Sequence, residues 1–294
     1  MKYIEKNPMI MIIIGVIGIS LSSIFVKYSA APSAVTAAWR LLWTVALMAP
    51  VVLGKRKVRQ EVFCMERKTF LLSVLSGVFL AIHFVLWFES LKHTAVASST
   101  SIVCTEVIWV ALGFSMFLKG KLGKKAAAAI AVTLIGSVLV AFSDARGSGV
   151  HLYGDVLALL AAIAVAVYTL LGRIVRNSVS TSAYTFVVYC ACGGVLLGVC
   201  GVQGYGLFQY GGSAPVVGVL LAVFSTILGH SIFSWCLKYF SPAFVSASKL
   251  CEPVVAAIFA AILFSERPSV LCLLGGSLIL GGVYFYSRLE RSEA

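Results

Sequence analysis

Ten apolar stretches, each long enough to cross a bilayer, follow one another along the chain at 8–30, 33–53, 68–90, 95–118, 124–142, 154–173, 181–201, 214–237, 242–264 and 268–287. About 20 apolar residues in a helix span a hydrocarbon core. A helix satisfies its own backbone there, where no water can do so. The connections are short and leave no room for a soluble domain. The pattern predicts an all-α integral membrane protein with ten transmembrane helices. A shift of 146 positions superposes the span boundaries. Pro8 falls on Gly154, Lys27 on Arg173, Leu91-Lys92 on Leu237-Lys238, and Glu106 on Glu252. Five spans per half is an odd number, so the second half is expected upside down relative to the first. The expected organisation is two inverted five-helix repeats, 1–146 and 147–294, in one compact domain.

Composition agrees with this pattern. The chain is 60% hydrophobic and 12% charged, against about 25% charged in ordinary soluble domains. The formal charge of +12 does not call for nucleic acid, because the basic residues follow the loops. Lys2, Lys6, the 55–59 cluster, Arg67, Lys68, the 119–125 cluster, Arg173, Arg176, Lys238, Arg288 and Arg291 lie on one side. Only Lys27, Lys92, Arg146 and Arg267 lie on the other. An excess of Lys and Arg marks the cytoplasmic side, so both termini are expected there. The eight cysteines lie mostly inside apolar stretches, where Cys acts as a small hydrophobe. No disulfide framework or metal site is expected.

The few polar groups inside the spans are the candidate chemistry, since an intramembrane ionisable group is expensive. Glu106 sits near the middle of the fourth span, with no basic residue in its own helix. It suits proton-linked exchange or the holding of an amino group. Ser99, seven residues earlier, shares its face. Glu252 sits near the middle of the ninth span. Lys249 precedes it by three residues on the same helical face, and this spacing predicts a mutually neutralising pair. Pro253 removes a backbone hydrogen bond and is expected to kink or hinge that helix. Arg40, about two turns into the second span, is expected as a gate or structural charge. His83 with Trp87 one turn on, His230, Trp109, Tyr168 and Trp235 complete the expected substrate-binding set. Small residues in the fifth, seventh and tenth spans permit close helix approach. For the fifth and tenth the sequence leaves open packing within the molecule or a dimer face.

Ser23-Ile-Phe-Val-Lys27, Pro32, Trp39-Arg40 and Pro50 resemble the opening of the ten-helix EamA family of the drug/metabolite transporter superfamily. Phe88-x-x-Leu-Lys92 followed by Ala95 and Ala97, Cys236-Leu-Lys-Tyr239, Glu252-Pro253 and Leu263-Phe-Ser-Glu266 extend the likeness over essentially the whole chain. There are departures. Val107 stands where the first repeat often has Pro, Gly120 where a loop Glu is expected, and the second half has no counterpart of Arg40. The resemblance implies movement of small metabolites, often export. The polar and aromatic inventory fits amino acids or related amphipathic compounds. The expectation is a secondary transporter working by alternating access with proton linkage, in the bacterial inner membrane. Its partners would be a small-molecule substrate and membrane lipid, with no cofactor and no nucleic acid, as a monomer or homodimer. Uptake or exchange of a nucleoside or sulfonium compound stays open. An intramembrane enzyme is the rival from another class, although no H-E-x-x-H, G-x-S-x-G or Walker loop occurs.

Overall fold

The computed structural model describes residues 8–94, 96–144, 152–255, 258–259 and 269–293, and all regular structure among them is helical. The first predicted span is α1 (Pro8–Ser20) and α2 (Ser22–Lys27), interrupted at Leu21. The second is α3 (Ser33–Gly54), followed by a short basic helix α4 (Arg56–Phe63) outside the predicted spans. The third is α5 (Arg67–His93). The fifth, sixth and seventh are α8 (Lys124–Asp144), α9 (Leu152–Val175) and α10 (Thr181–Val202). The tenth is α14 (Val270–Glu293). Eight helices among the described residues are long and apolar enough to cross a membrane. Their outward faces carry exposed Ile13, Leu71, Leu75, Leu160 and Leu274, an apolar surface that suits lipid.

The fourth span is not the continuous helix expected over 95–118. It is α6 (Val96–Val103), a turn at Cys104-Thr105, and α7 (Glu106–Phe117). The ninth is α13 (Pro242–Lys249), a turn at Leu250-Cys251, and a helix resuming at 252–255. The two turns are 146 positions apart. Both tighten to i→i−3 bonds: Thr105 N to Ile102 O at 3.0 Å, Leu250 N to Ala247 O at 3.1 Å. In each a hydroxyl competes for a helix carbonyl. Thr105 Oγ1 donates to Ile102 O at 2.6 Å and Ser248 Oγ to Val245 O at 2.7 Å. Such back-bonding bends helices. In the ninth span Pro253 adds its missing N–H. In the fourth, Val107 occupies the matching position, so the turn forms there without proline.

The eighth span changes pitch rather than breaking. It is α11 (Ser213–Leu220), a π-helical stretch (Leu221–His230), then α12 (Ser231–Cys236). A π turn accommodates an extra residue and recurs at functional sites. His230 lies 147 positions after His83, one beyond the repeat shift, and it closes this wider stretch.

The helices enclose two apolar clusters, each drawing on both halves of the chain. One gathers around Leu41, Phe84, Tyr184 and Leu221, the other around Val107, Phe233, Phe244 and Ile279. Within the second cluster, α8 and α14 pack on each other. A Cβ built on Gly136 would meet Gly275 O at 2.6 Å, and one on Gly275 would meet Gly136 O at the same distance. The contact that the 146 shift relates to this one also exists: a Cβ on Gly282 would meet Ala129 O at 3.1 Å. Gly275 and Gly282 of the tenth span thus serve packing within the molecule. Gly136→Ala should destabilise by about 1–3 kcal/mol through overpacking, whereas Gly198→Ala, with nothing within 4 Å of the added carbon, should be neutral or slightly stabilising. Melting curves of the two purified variants check this, and equal melting temperatures would contradict it.

Candidate functional site

The two broken helices bring their free ends together at the centre of the bundle. Glu106 lies in the first turn of α7 and Lys249 in the last turn of α13. A helix N-terminus favours an anion and a C-terminus a cation, so each charge sits at the end that suits it. Lys249 Nζ donates to Glu106 Oε1 at 2.8 Å. Both side chains are buried. The Lys249 ammonium also lies 5.4 Å from the centre of the Phe233 ring, a cation–π distance.

This corrects the pair predicted from sequence. The i, i+3 spacing pointed to Lys249 with Glu252, but the turn at Leu250-Cys251 separates them. Lys249 reaches across to the other half of the chain instead. Glu252 forms no ion pair among the described residues, and its Oε1 is buried without a hydrogen-bond partner. The repeat shift explains the asymmetry, because the position matching Lys249 in the first half is Val103. Each glutamate opens a half-helix, yet only Glu106 meets a cation.

Around this pair lies a cavity of about 50 Å³, on a scale where one water occupies about 10–15 Å³. It has room for a few waters and is lined from both halves. Arg40, His83, Trp87 and Glu106 contribute from one side, and His230, Lys249 and Glu252 from the other. Arg40 is fully buried. Its Nε donates to Thr226 Oγ1 at 2.7 Å in the π-helical stretch, and its guanidinium lies 4.1 Å from the centre of the Phe84 ring. Its Nη1 and Nη2 have no partner among the described residues. His83 Nδ1 bonds Ala161 O at 3.0 Å. The carbonyl can only accept, so Nδ1 carries the proton there. The His83 ring stacks on Trp87 at 5.9 Å and meets His230 edge-on at 6.4 Å.

Other predicted residues stand behind this wall or away from it. Tyr168 bonds Ser234 Oγ at 2.9 Å and packs on His230. Ser99 ties the fourth span to the third through Ser90 Oγ at 2.5 Å. Trp235 packs on Tyr239, and Trp109 is half-buried on α7. Neither indole belongs to the cavity wall. Pro253 follows Glu252 at the start of the resumed helix. The sequence reading missed Ser22, Ser225, Ile19, Val103 and Val165, which line the cavity. Ser22 and Ser225 sit in polar pairs within apolar spans, Ser22-Ser23 and Ser225-Thr226, which was the available signal. Nothing in the residue types marked the other three. No cluster of three or more His, Cys, Asp or Glu able to hold a metal occurs among the described residues.

Both ends of the bundle are latched. At the basic end Arg173 donates to Leu237 O and Phe240 O, Arg176 donates to Ser234 O and Val179 O, and Glu290 accepts from Ser241 N and Oγ. At the other end Ser33 Oγ donates to Glu89 Oε2 at 2.7 Å, and Thr94 Oγ1 to Asp155 Oδ1 at 2.8 Å.

Comparison with known proteins gives a consistent family. The EamA-like transporter family model matches twice, over residues 6–142 and 152–288. An uncharacterized transporter of Archaeoglobus fulgidus is 25% identical over 217 residues, covering 71% of this chain and 72% of the relative. A second from the same organism is 23% identical over 186 residues, covering 62% of this chain and 64% of its own, a little under two thirds. A solved structure titled "Crystal structure of protein" superposes with a TM-score of 0.78 at 18% identity, covering 98% of both chains. That likeness concerns the fold alone.

Breaking a buried ion pair by removing one partner costs about 3–5 kcal/mol. Glu106→Gln and Lys249→Met should each destabilise on that order, and the double variant by less than their sum. A cycle of Lys249→Met with Glu252→Gln should show weaker coupling. Unfolding of the purified variants measures this; stronger coupling to Glu252 than to Glu106 would contradict the geometry.

Proposed function

The chain belongs to the EamA-like transporter family, and from that premise we propose a secondary transporter of small amphipathic metabolites such as amino acids, working as an exporter by alternating access. The observation that carries this reading is the cavity between two broken helices, with a buried charge at each break. Discontinuous helices meeting near the midplane are how inverted-repeat transporters build a site that both faces can reach. The cavity has room for only a few waters and both ends are latched, which is the form expected of an occluded state. Opening toward either face requires one set of latches to release while the other holds. The basic end is the cytoplasmic end in this reading, with both termini there, in the inner membrane of a bacterial cell.

Glu106 has a part in coupling. Lys249 satisfies it while the site is closed. A proton taken by Glu106, or an ammonium group brought by the substrate, would free Lys249 and loosen the contact between the halves. Binding energy then drives the change of state, as it must if a ligand is to shift a conformational equilibrium.

Reconstitution in sealed liposomes tests the proposal. Labelled solutes from an amino-acid, nucleoside and sulfonium panel should include at least one that shows counterflow, with flux stimulated by a pH gradient. Glu106→Gln should reduce the coupled flux at least tenfold, or leave flux that no longer responds to the gradient. Normal flux with unchanged pH response in that variant would remove Glu106 from the coupling. Absence of flux across the whole panel, with chemical conversion of any solute in detergent, would favour an enzyme.

A further inference from the structure

Within the cavity, polar atoms without partners are sorted by charge. Arg40 Nη1 and Nη2, Trp87 Nε1 and Glu252 Oε1 are buried with no hydrogen-bond partner among the described residues, as are the hydroxyls of Ser22 and Ser225. All five residues line the same cavity. Buried polar groups are normally satisfied, and a group that is not calls for an explanation. Ser22 and Ser225 can be served by water. A guanidinium with two bare nitrogens and a carboxylate with a bare oxygen ask for charge.

The charges of the wall sum in a particular way. Glu106 and Lys249 neutralise each other at 2.8 Å. Of the wall's Arg, Lys, Asp and Glu side chains this leaves Arg40 and Glu252, one basic and one acidic. They do not neutralise each other by contact, since no ion pair within 4.0 Å forms between them. A simple anion on Arg40 would leave Glu252 uncompensated, and a simple cation on Glu252 would do the same to Arg40. A molecule carrying both charges, neutral overall, satisfies both at once.

We propose that Arg40 and Glu252 are the two poles of a zwitterion site. Arg40 would take the ligand's carboxylate and Glu252 its ammonium group, with the stacked His83–Trp87 pair as the wall beside them. The assignment rests on the transporter reading only for its setting and deepens it by naming the ligand's charge pattern. The fork of Nη1 and Nη2 matches the two oxygens of a carboxylate. The Trp87 indole N–H is a further donor on the same wall. Glu252, ionised, accepts only and is suited to an ammonium group. Thr226 and Phe84 hold the guanidinium in place, which leaves its outer edge free for a ligand.

The test uses the full-length protein in detergent or lipid nanodiscs and needs no variant to begin. L-Alanine, L-leucine and L-phenylalanine are each supplied free, as the methyl ester and as the N-acetyl derivative, and binding is measured by calorimetry and thermal shift. At least one free amino acid should bind, with both of its blocked forms at least tenfold weaker. Blocked forms that bind within threefold of the free one would overturn the proposal, and so would a protein that responds to none of the nine. Glu252→Gln should lower affinity for the free amino acid at least tenfold and leave the N-acetyl form unchanged. Arg40→Gln should lower it equally and leave the methyl ester unchanged, with Arg40→Lys retaining part of the affinity if the Gln variant does not fold. Loss of binding to all three forms alike in both variants would also count against two separate poles. Zwitterion binding without flux in liposomes would contradict the transport reading alone and leave the site standing.

Discussion

A lysine and a glutamate from opposite halves of the chain meet at 2.8 Å in the centre of the bundle, and much of the surrounding geometry serves that contact. Glu106 can open α7, and Lys249 can end α13, only because both helices break at the same point of the repeat. The breaks turn two continuous rods into four half-helices whose free ends face inward. Helix dipoles then favour each charge where it stands. Apolar clusters on either side exclude water, which makes the contact costly to break and keeps the unpaired charges around it exposed only to the cavity.

The repeat is present in the framework and broken in the chemistry. The helix turns, the glycine contact between α8 and α14, and the placement of Glu106 and Glu252 all follow the 146-residue shift. Lys249 does not, because Val103 stands at its matching position. Arg40 does not, because Phe186 stands at its matching position. His230 is offset by one residue and sits at the end of a π-helical stretch. Each departure falls on the cavity or beside it. The frame is thus symmetric where the cavity lining is not. The small volume fits a state closed on both sides, and in the proposed alternating-access cycle the latches at the bundle's ends would open in turn.

Much of the fold was legible in the sequence, because apolar length and loop charge act locally. The all-helical class and the positions of the described spans follow from them. Glu106, His83, Trp87, Arg40 and His230 were legible as candidates for a related reason: a polar group inside an apolar stretch is costly, so it stands out. The partner of Lys249 was not legible. Spacing of three residues predicts a contact only if the helix is continuous, and the turn at Leu250-Cys251 depends on a hydroxyl and a proline acting together. The turn at Cys104-Thr105 has no proline to announce it. The apolar members of the wall, Ile19, Val103 and Val165, look like every other apolar residue in their spans, and tertiary packing alone distinguishes them.

The most direct measurement is the internuclear distance between Lys249 and the two glutamates in lipid. Solid-state NMR on protein labelled with ¹⁵N at lysine Nζ and ¹³C at glutamate Cδ reads it, with Glu106→Gln and Glu252→Gln assigning the signals. The account predicts that Lys249 Nζ lies about 3–4 Å from Glu106 Cδ, as a direct charge-assisted hydrogen bond requires, and farther from Glu252 Cδ. A short distance to Glu252 with a long one to Glu106 would contradict it.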